Sequence, residues 1–145
     1  MLSDEYFMKI ALKEAQIAFD KGEIPVGAVI VSKETVIAKT HNQTEQLNDF
    51  TAHAEMLAYT SASEYLSNKY LKDCTLYVTL EPCSMCASAS AWTQVGRIVY
   101  GASDPRKGFN NFSPSLLHPK TKISSAVLEQ ECLALVQNFF TKKRG

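Results

Sequence analysis

Apolar positions along this chain recur with two periods. Between Asp4 and Gly22, residues Phe7, Ile10, Ala11, Ala15 and Ala18 fall three or four apart, the spacing of one helix face. Ser3 stands where an N-cap belongs, Asp4 and Glu5 put negative charge in the first turn, and Gly22 marks the end. A continuous apolar run of strand length, Val26-Gly27-Ala28-Val29-Ile30-Val31, comes next. After Ser32–Thr35 a second strand follows, Val36-Ile37-Ala38-Lys39-Thr40. The connection is too short for a crossover, so the two strands are expected to be antiparallel. Gly27 inside a strand implies close approach by another group, with a substrate as one candidate.

The segment His41–Asp49 is polar and loop-like, and a helix is expected from about Ala52 to Tyr65. Leu76-Tyr77-Val78-Thr79-Leu80 reads as the third strand, followed by a helix from Cys83 to about Trp92. The small residues Ala87-Ser88-Ala89-Ser90-Ala91 in that helix imply close packing against the sheet or another helix. Arg97-Ile98-Val99-Tyr100-Gly101 is the fourth strand. The stretch Ala102–Thr121 holds three of the five prolines and no helical stripe, and a loop that long in a compact domain is usually functional. A short strand near Ile123–Val127 and a helix from about Leu128 to Lys143 complete the pattern. In that last helix Leu128, Cys132, Leu135, Val136 and Phe139 make the apolar stripe. Alternating strands and helices predict an α/β fold with parallel central strands, built as one domain over residues 1–145.

Composition adds bounds. The chain is 46% hydrophobic and 21% charged, which is ordinary for a soluble globular domain. No apolar run approaches the roughly 20 residues that span a bilayer. The start, Met1-Leu2-Ser3-Asp4-Glu5, is acidic and has no apolar core of a signal peptide, so a cytoplasmic location is expected. The four cysteines read as metal ligands plus buried thiols, with Cys74 and Cys132 structural, in a reducing compartment. Net charge is zero but unevenly spread. Residues 1–104 carry 8 Lys/Arg against 13 Asp/Glu, whereas residues 105–145 carry 7 against 2. The basic set is Arg106, Lys107, Lys120, Lys122, Lys142, Lys143 and Arg144. It reads either as a footprint for an anionic partner or as the ordinary basic end of a solvated helix.

Two short motifs carry the chemistry: His53-Ala54-Glu55 and Pro82-Cys83-Ser84-Met85-Cys86. Pro82 suits the first position of a helix, which would set Cys83 and Cys86 one turn apart on one side. A helix start favours thiolate, the metal-binding form. His53 follows Thr51, a plausible N-cap, so it too is expected at a helix start. Glu55 is two residues further on, and the pair can lean toward one spot only within a first turn. His53, Cys83 and Cys86 would hold one Zn2+ per chain and leave the fourth tetrahedral position open. Water there becomes a nucleophile near neutral pH, and Glu55 can carry its proton to a ring nitrogen and then to a leaving amine. That is the chemistry of replacing an aromatic amino group by oxygen. Two other readings of the cysteines are a thioredoxin-like redox pair and a structural zinc site. The latter would draw its fourth ligand from Cys74, His41, Cys132 or His118.

The chain resembles the bacterial tRNA-specific adenosine deaminases, within the cytidine deaminase-like zinc deaminases, over nearly its whole length. The likeness rests on Ile24–Val29, His41-Asn42, Asp49–Glu55, Leu76–Cys83, Gly101-Ala102-Ser103-Asp104 and Phe139–Arg144. It implies a three-layer α/β/α sandwich around a five-stranded mixed sheet, a homodimer, and conversion of the wobble adenosine of an anticodon loop to inosine. It further implies that Asn42 bonds the flipped base, that the backbone at Ala54 holds its edge, and that Asp104 meets substrate. Arg106, Lys107, Lys142, Lys143 and Arg144 are the candidate RNA contacts, and Phe109, Phe112, Phe139 and Phe140 could stack on extruded bases. Two segments depart from the family's pattern: Phe109-Asn110-Asn111-Phe112-Ser113-Pro114 and Thr121-Lys122-Ile123. The other enzymatic reading is a zinc deaminase of a free base or nucleoside, of guanine or cytosine type. A non-enzymatic zinc or redox protein is the third.

Overall fold

Ser3 accepts the backbone N–H of Tyr6 on its hydroxyl, and helix α1 (Asp4–Asp20) runs from there to a turn at Gly22, whose φ is +77°. The computed structural model describes residues 1–144; the side chain of Arg144 and the whole of Gly145 lie outside the described residues. Strands β1 (Gly27–Ser32) and β2 (Thr35–His41) form the expected antiparallel hairpin. Lys33 and Glu34 both have positive φ, 50° and 64°, which matches the twist of the flanking strands. The chain continues through α2 (Ala54–Leu66), β3 (Cys74–Leu80), α3 (Ser84–Thr93) and β4 (Arg97–Ala102). A 3-10 turn at Phe109–Asn111, β5 (Lys122–Ser124) and α4 (Glu129–Arg144) complete it.

The sheet order is β2-β1-β3-β4-β5. β3 pairs antiparallel with β1 and parallel with β4, and β4 pairs parallel with β5, so the sheet is mixed. Side chains alternate across it. Ala28, Ile30, Leu76, Val78, Ile98 and Tyr100 meet α2 and α3 on one face. Val29, Val31, Tyr77 and Val99 meet α1 and Cys132 of α4 on the other. The result is the three-layer α/β/α sandwich. Leu76 and Ile98 are fully buried, and truncating either to Ala costs about 2–5 kcal/mol. No helix among the described residues is long and apolar enough to cross a membrane.

Three expectations change. The group close to Gly27 is the backbone of α1, because a Cβ there would overlap Ala11 O and Ala15 N. β5 stops at Ser124, well short of Val127, because Ala126 and Leu128 take positive φ (63° and 54°), which extended pairing does not allow. The Ala102–Thr121 segment is not wholly irregular, since Phe109 docks edge-on against Tyr100 with centroids 5.9 Å apart and seeds the 3-10 turn.

Candidate metal centre

Two helix N-termini meet beyond the carboxyl end of β3. His53 immediately precedes α2 and Cys83 immediately precedes α3, and neither side chain caps its own helix. Imidazole and thiol are therefore free to turn toward a common point. His53 Nδ1 lies 3.6 Å from Cys83 Sγ and 3.5 Å from Cys86 Sγ. An ion held tetrahedrally at about 2.0 Å from nitrogen and about 2.3 Å from sulfur requires an N···S edge of about 3.5 Å. The donors already stand at zinc spacing. Among the described residues they are the one group of three or more His, Cys, Asp or Glu side chains close enough to share an ion.

The local routes to this point differ from the sequence expectation. Pro82 precedes the helix and does not open it: its carbonyl accepts the Phe109 N–H at 2.9 Å, and Cys83 bridges to Gly108. Those two links keep Pro82-Cys83 extended, so α3 starts at Ser84. Thr51 does not cap α2, because both its N–H and its hydroxyl donate to Asp49 Oδ1, at 2.8 and 2.7 Å. His53 takes the cap position instead, with α2 beginning at Ala54.

The sulfurs behave as a pair. A hydrogen bond from Cys86 pulls the Cys83 thiol down to about 3, with His53 adding to the effect. The same bond, followed by burial, pushes the Cys86 thiol up. His53 is raised first by its contact with Cys83. Without metal the two sulfurs thus hold one proton between them, and a divalent cation would displace it. Glu55, the second residue of α2, is 4% exposed, and burial pushes its carboxyl up to about 7. It contacts the Cys86 thiol yet stays outside the three-donor group. Tyr59, also on α2, donates to the Cys86 carbonyl at 3.2 Å.

Beside this centre Asn42 is held by its neighbours. Thr40 Oγ donates to Ala54 O at 2.7 Å, and Gln43 N donates to Ala52 O at 2.9 Å. Asn42 is 5% exposed, and among the described residues its side-chain amide has no protein partner. The Ala54 N–H, first in its helix, has no intrahelical acceptor. The loop after Asn42 is pinned by Glu23, 1% exposed, which accepts Gln46 N at 2.7 Å, Glu45 N at 3.1 Å and Thr44 Oγ at 3.4 Å. Sequence reasoning missed Glu23, and no spacing rule marks it.

The second wall is the loop after β4. Asp104 Oδ1 accepts Arg106 N and Lys107 N, at 3.2 and 3.1 Å. Both Arg106 and Lys107 are exposed, and Lys107 lies close enough for its charge to oppose protonation of His53. The C-terminal basic cluster is on the other face of the sheet. Lys142 Nζ stands 5.7 Å from the Phe19 ring and Lys143 Nζ 5.5 Å from the Phe139 ring. The Arg144 side chain lies outside the described residues. Phe109 and Phe139 are buried and closed to base stacking, while Phe112 and Phe140 keep 45% and 39% of their surface exposed.

The fourth-ligand candidates for a structural site go elsewhere. Cys74 and Cys132 are buried core residues, as expected for structural thiols. His41 Nδ1 faces Glu14 Oε1 at 3.2 Å, and His118 Nδ1 accepts Lys120 N.

Residues 1–102 match the family described as the cytidine and deoxycytidylate deaminase zinc-binding region. The chain is similar to the tRNA-specific adenosine deaminase of Aquifex aeolicus (strain VF5), 45% identical over 149 residues that cover 99% of this chain and 98% of that relative. A structure solved in studies of A-to-I editing by tRNA:A34 deaminases, at the wobble position of transfer RNA, superposes with a TM-score of 0.85. It is 41% identical and covers 90% of this chain and 98% of that one. The structure of a guanine deaminase from Bacillus subtilis superposes with a TM-score of 0.67 at 38% identity, over 70% of this chain and 66% of that one.

Proposed function

The chain belongs to the cytidine and deoxycytidylate deaminase zinc-binding family, and on that premise we propose that it hydrolytically deaminates the wobble adenosine of tRNA to inosine. The observation that carries this reading is the tetrahedral N···S spacing around His53 with buried Glu55 beside it. His53, Cys83 and Cys86 would hold one zinc ion per chain. When bound, zinc supplies Lewis acidity that makes water a nucleophile near neutral pH.

The remaining steps belong to the chain's own groups. Asn42, through its unpartnered amide, and the free Ala54 N–H hold the edge of the purine. As water oxygen adds to C6, the Glu55 carboxylate takes a proton and delivers it to N1. The second proton goes to the exocyclic amine as the C6–N bond breaks, so water enters and ammonia leaves. Burial of Glu55 supports this role, because desolvation favours the protonated form of its carboxyl and so helps it take up a proton beside the donors.

Asp104, Arg106 and Lys107 flank the centre and face the anticodon loop, and Lys142, Lys143 and Arg144 supply phosphate contacts further out. The working unit is a cytoplasmic homodimer, a reading supported by Trp92 of α3, which leaves 83% of its surface for a second copy to cover. The guanine deaminase match favours a second reading, deamination of a free base. A substrate panel separates the two. Inosine in an anticodon stem-loop, without ammonia from guanine, cytosine, adenine or adenosine, is the expected result. Ammonia from free guanine with an untouched stem-loop would replace the tRNA reading.

A further inference from the structure

We infer that Glu81 is a positioning residue that latches the Asp104–Asn110 loop onto the segment carrying Cys83. Glu81 is 5% exposed, and among the described residues no cation pairs with it. A buried carboxylate is costly unless its oxygens are satisfied, and here both are. Oε1 accepts the Asp104 N–H at 3.0 Å and Oε2 accepts the Asn110 N–H at 3.0 Å. One side chain therefore grips the loop at its beginning and its end. The Glu81 N–H donates to Ala102 O at 2.8 Å, joining the same residue to the end of β4.

The adjoining residues extend the latch. Pro82 O accepts Phe109 N, and Cys83 bridges to Gly108. Gly108 has ordinary backbone angles, φ −66° and ψ 153°, so glycine stands there for space. A Cβ would overlap the Glu81 carboxylate and come within 2.6 Å of Asp104 O. Glu81, Pro82 and Cys83 thus hold, in three consecutive residues, both the loop and a metal donor. Asp104, Arg106 and Lys107 ride on that loop. The distance between the substrate-facing loop and the metal donors is consequently set by this latch, in which the Glu81 carboxylate holds both ends of the loop and the Pro82 and Cys83 backbone holds its middle. This inference rests on the tRNA reading for what the loop contacts, but the latch itself is a property of the chain.

The test is Glu81→Gln in the zinc-loaded protein. The amide keeps one acceptor oxygen and turns an N–H toward the other donor. Zinc content and helix content should stay at wild-type levels, while hydrogen exchange of the residue 104–110 amides speeds by about tenfold or more. On an anticodon stem-loop, KM should rise about tenfold with kcat within about threefold, the split expected when a ground-state contact is displaced. In an Asp104→Ala background the KM effect should shrink, because the two changes act through one loop. Unchanged loop exchange, loss of zinc, a fall in kcat at constant KM, or the same KM factor in both backgrounds would overturn the latch. Should Glu81→Gln fail to fold, Gly108→Ala pushes the loop away with Glu81 in place. It should give the same faster exchange and raised KM, and wild-type values for both would overturn the proposal. Absence of inosine from the wild-type enzyme defeats the tRNA reading alone, since loop exchange is read without substrate.

Discussion

The Tyr59 phenol donates a 3.2 Å hydrogen bond to the carbonyl of Cys86, so the helix that follows His53 is tied to the helix that follows Cys83 and carries Cys86. Tyr59 is 5% exposed and the bond has no solvent competitor. Tyr59→Phe removes only the oxygen. It should lower stability by about 0.5–1.5 kcal/mol, as one neutral hydrogen bond does, and weaken zinc retention by about tenfold, as loss of a group supporting a ligand does. Urea unfolding and competition with a chromogenic chelator measure the two effects.

Elemental analysis of protein purified without chelators should find one zinc per chain. His53→Ala, Cys83→Ala and Cys86→Ala should each reduce it to a small fraction. Zinc uptake by stripped protein should acidify weakly buffered solution, because the proton shared by the two sulfurs must leave.

Glu55→Ala should keep its zinc and its fold while turnover falls by about two to four orders of magnitude, the usual worth of a general acid–base group. Zinc content and single-turnover inosine formation are read on the same sample. A variant stripped of metal would make Glu55 a ligand, contrary to its place outside the donor group.

A pH-dependent contribution to stability lies at the opposite end of the sheet. Arg97 donates to both oxygens of Asp4, at 2.9 and 2.7 Å, and Tyr77 adds a 2.8 Å bond. The Arg97 hydrogen bond leads in holding the Asp4 carboxyl below its ordinary value of 3.8. Between the folded and unfolded values the unfolded chain binds more protons, so stability rises with pH there. The contribution is complete above the unfolded value and is lost as pH falls through the folded one. Since both partners are a third exposed, screening limits it to about 1 kcal/mol. Asp4→Asn should cost that much at pH 7, and the gap to wild type should close as pH is brought below 3.8, by urea unfolding at each pH.

Replacing Lys142, Lys143 and Arg144 with Ala should weaken stem-loop binding and flatten its salt dependence, by roughly 0.7 of a log–log unit for each phosphate left without its cation. Inosine formation on bound substrate should be unchanged, because Lys142 and Lys143 pack on Phe19 and Phe139 across the sheet from His53. Titration at two salt concentrations gives both quantities.

The layers were legible because both periods are strong: Phe7, Ala11, Ala15 and Ala18 mark a helix face, and the runs around Val29 and Val78 mark buried strands. The cluster of donors was legible because three residues of metal-binding type and one acid sit in two short motifs. Helix starts were misplaced by two residues at α2 and by one at α3, and the causes are hydrogen bonds that no local propensity contains. Asp49 takes the Thr51 donors, and Gly108 holds Cys83 extended across 25 residues of chain. Glu23 and Glu81 were invisible for a related reason. A carboxylate reads as solvent-facing until the fold brings backbone N–H groups 22 to 29 residues away to its oxygens.

The grip of Glu23 on the Thr44–Gln46 turn bears on how freely this enzyme can diversify. Its two shortest bonds are to main-chain N–H groups, which every amino acid except proline provides. Side chains at positions 45 and 46 can therefore be exchanged without moving Asn42. Mutational libraries across this turn should yield folded, zinc-loaded proteins at nearly every substitution but proline. Here the side chains can vary while the main-chain anchor beside Asn42 stays in place.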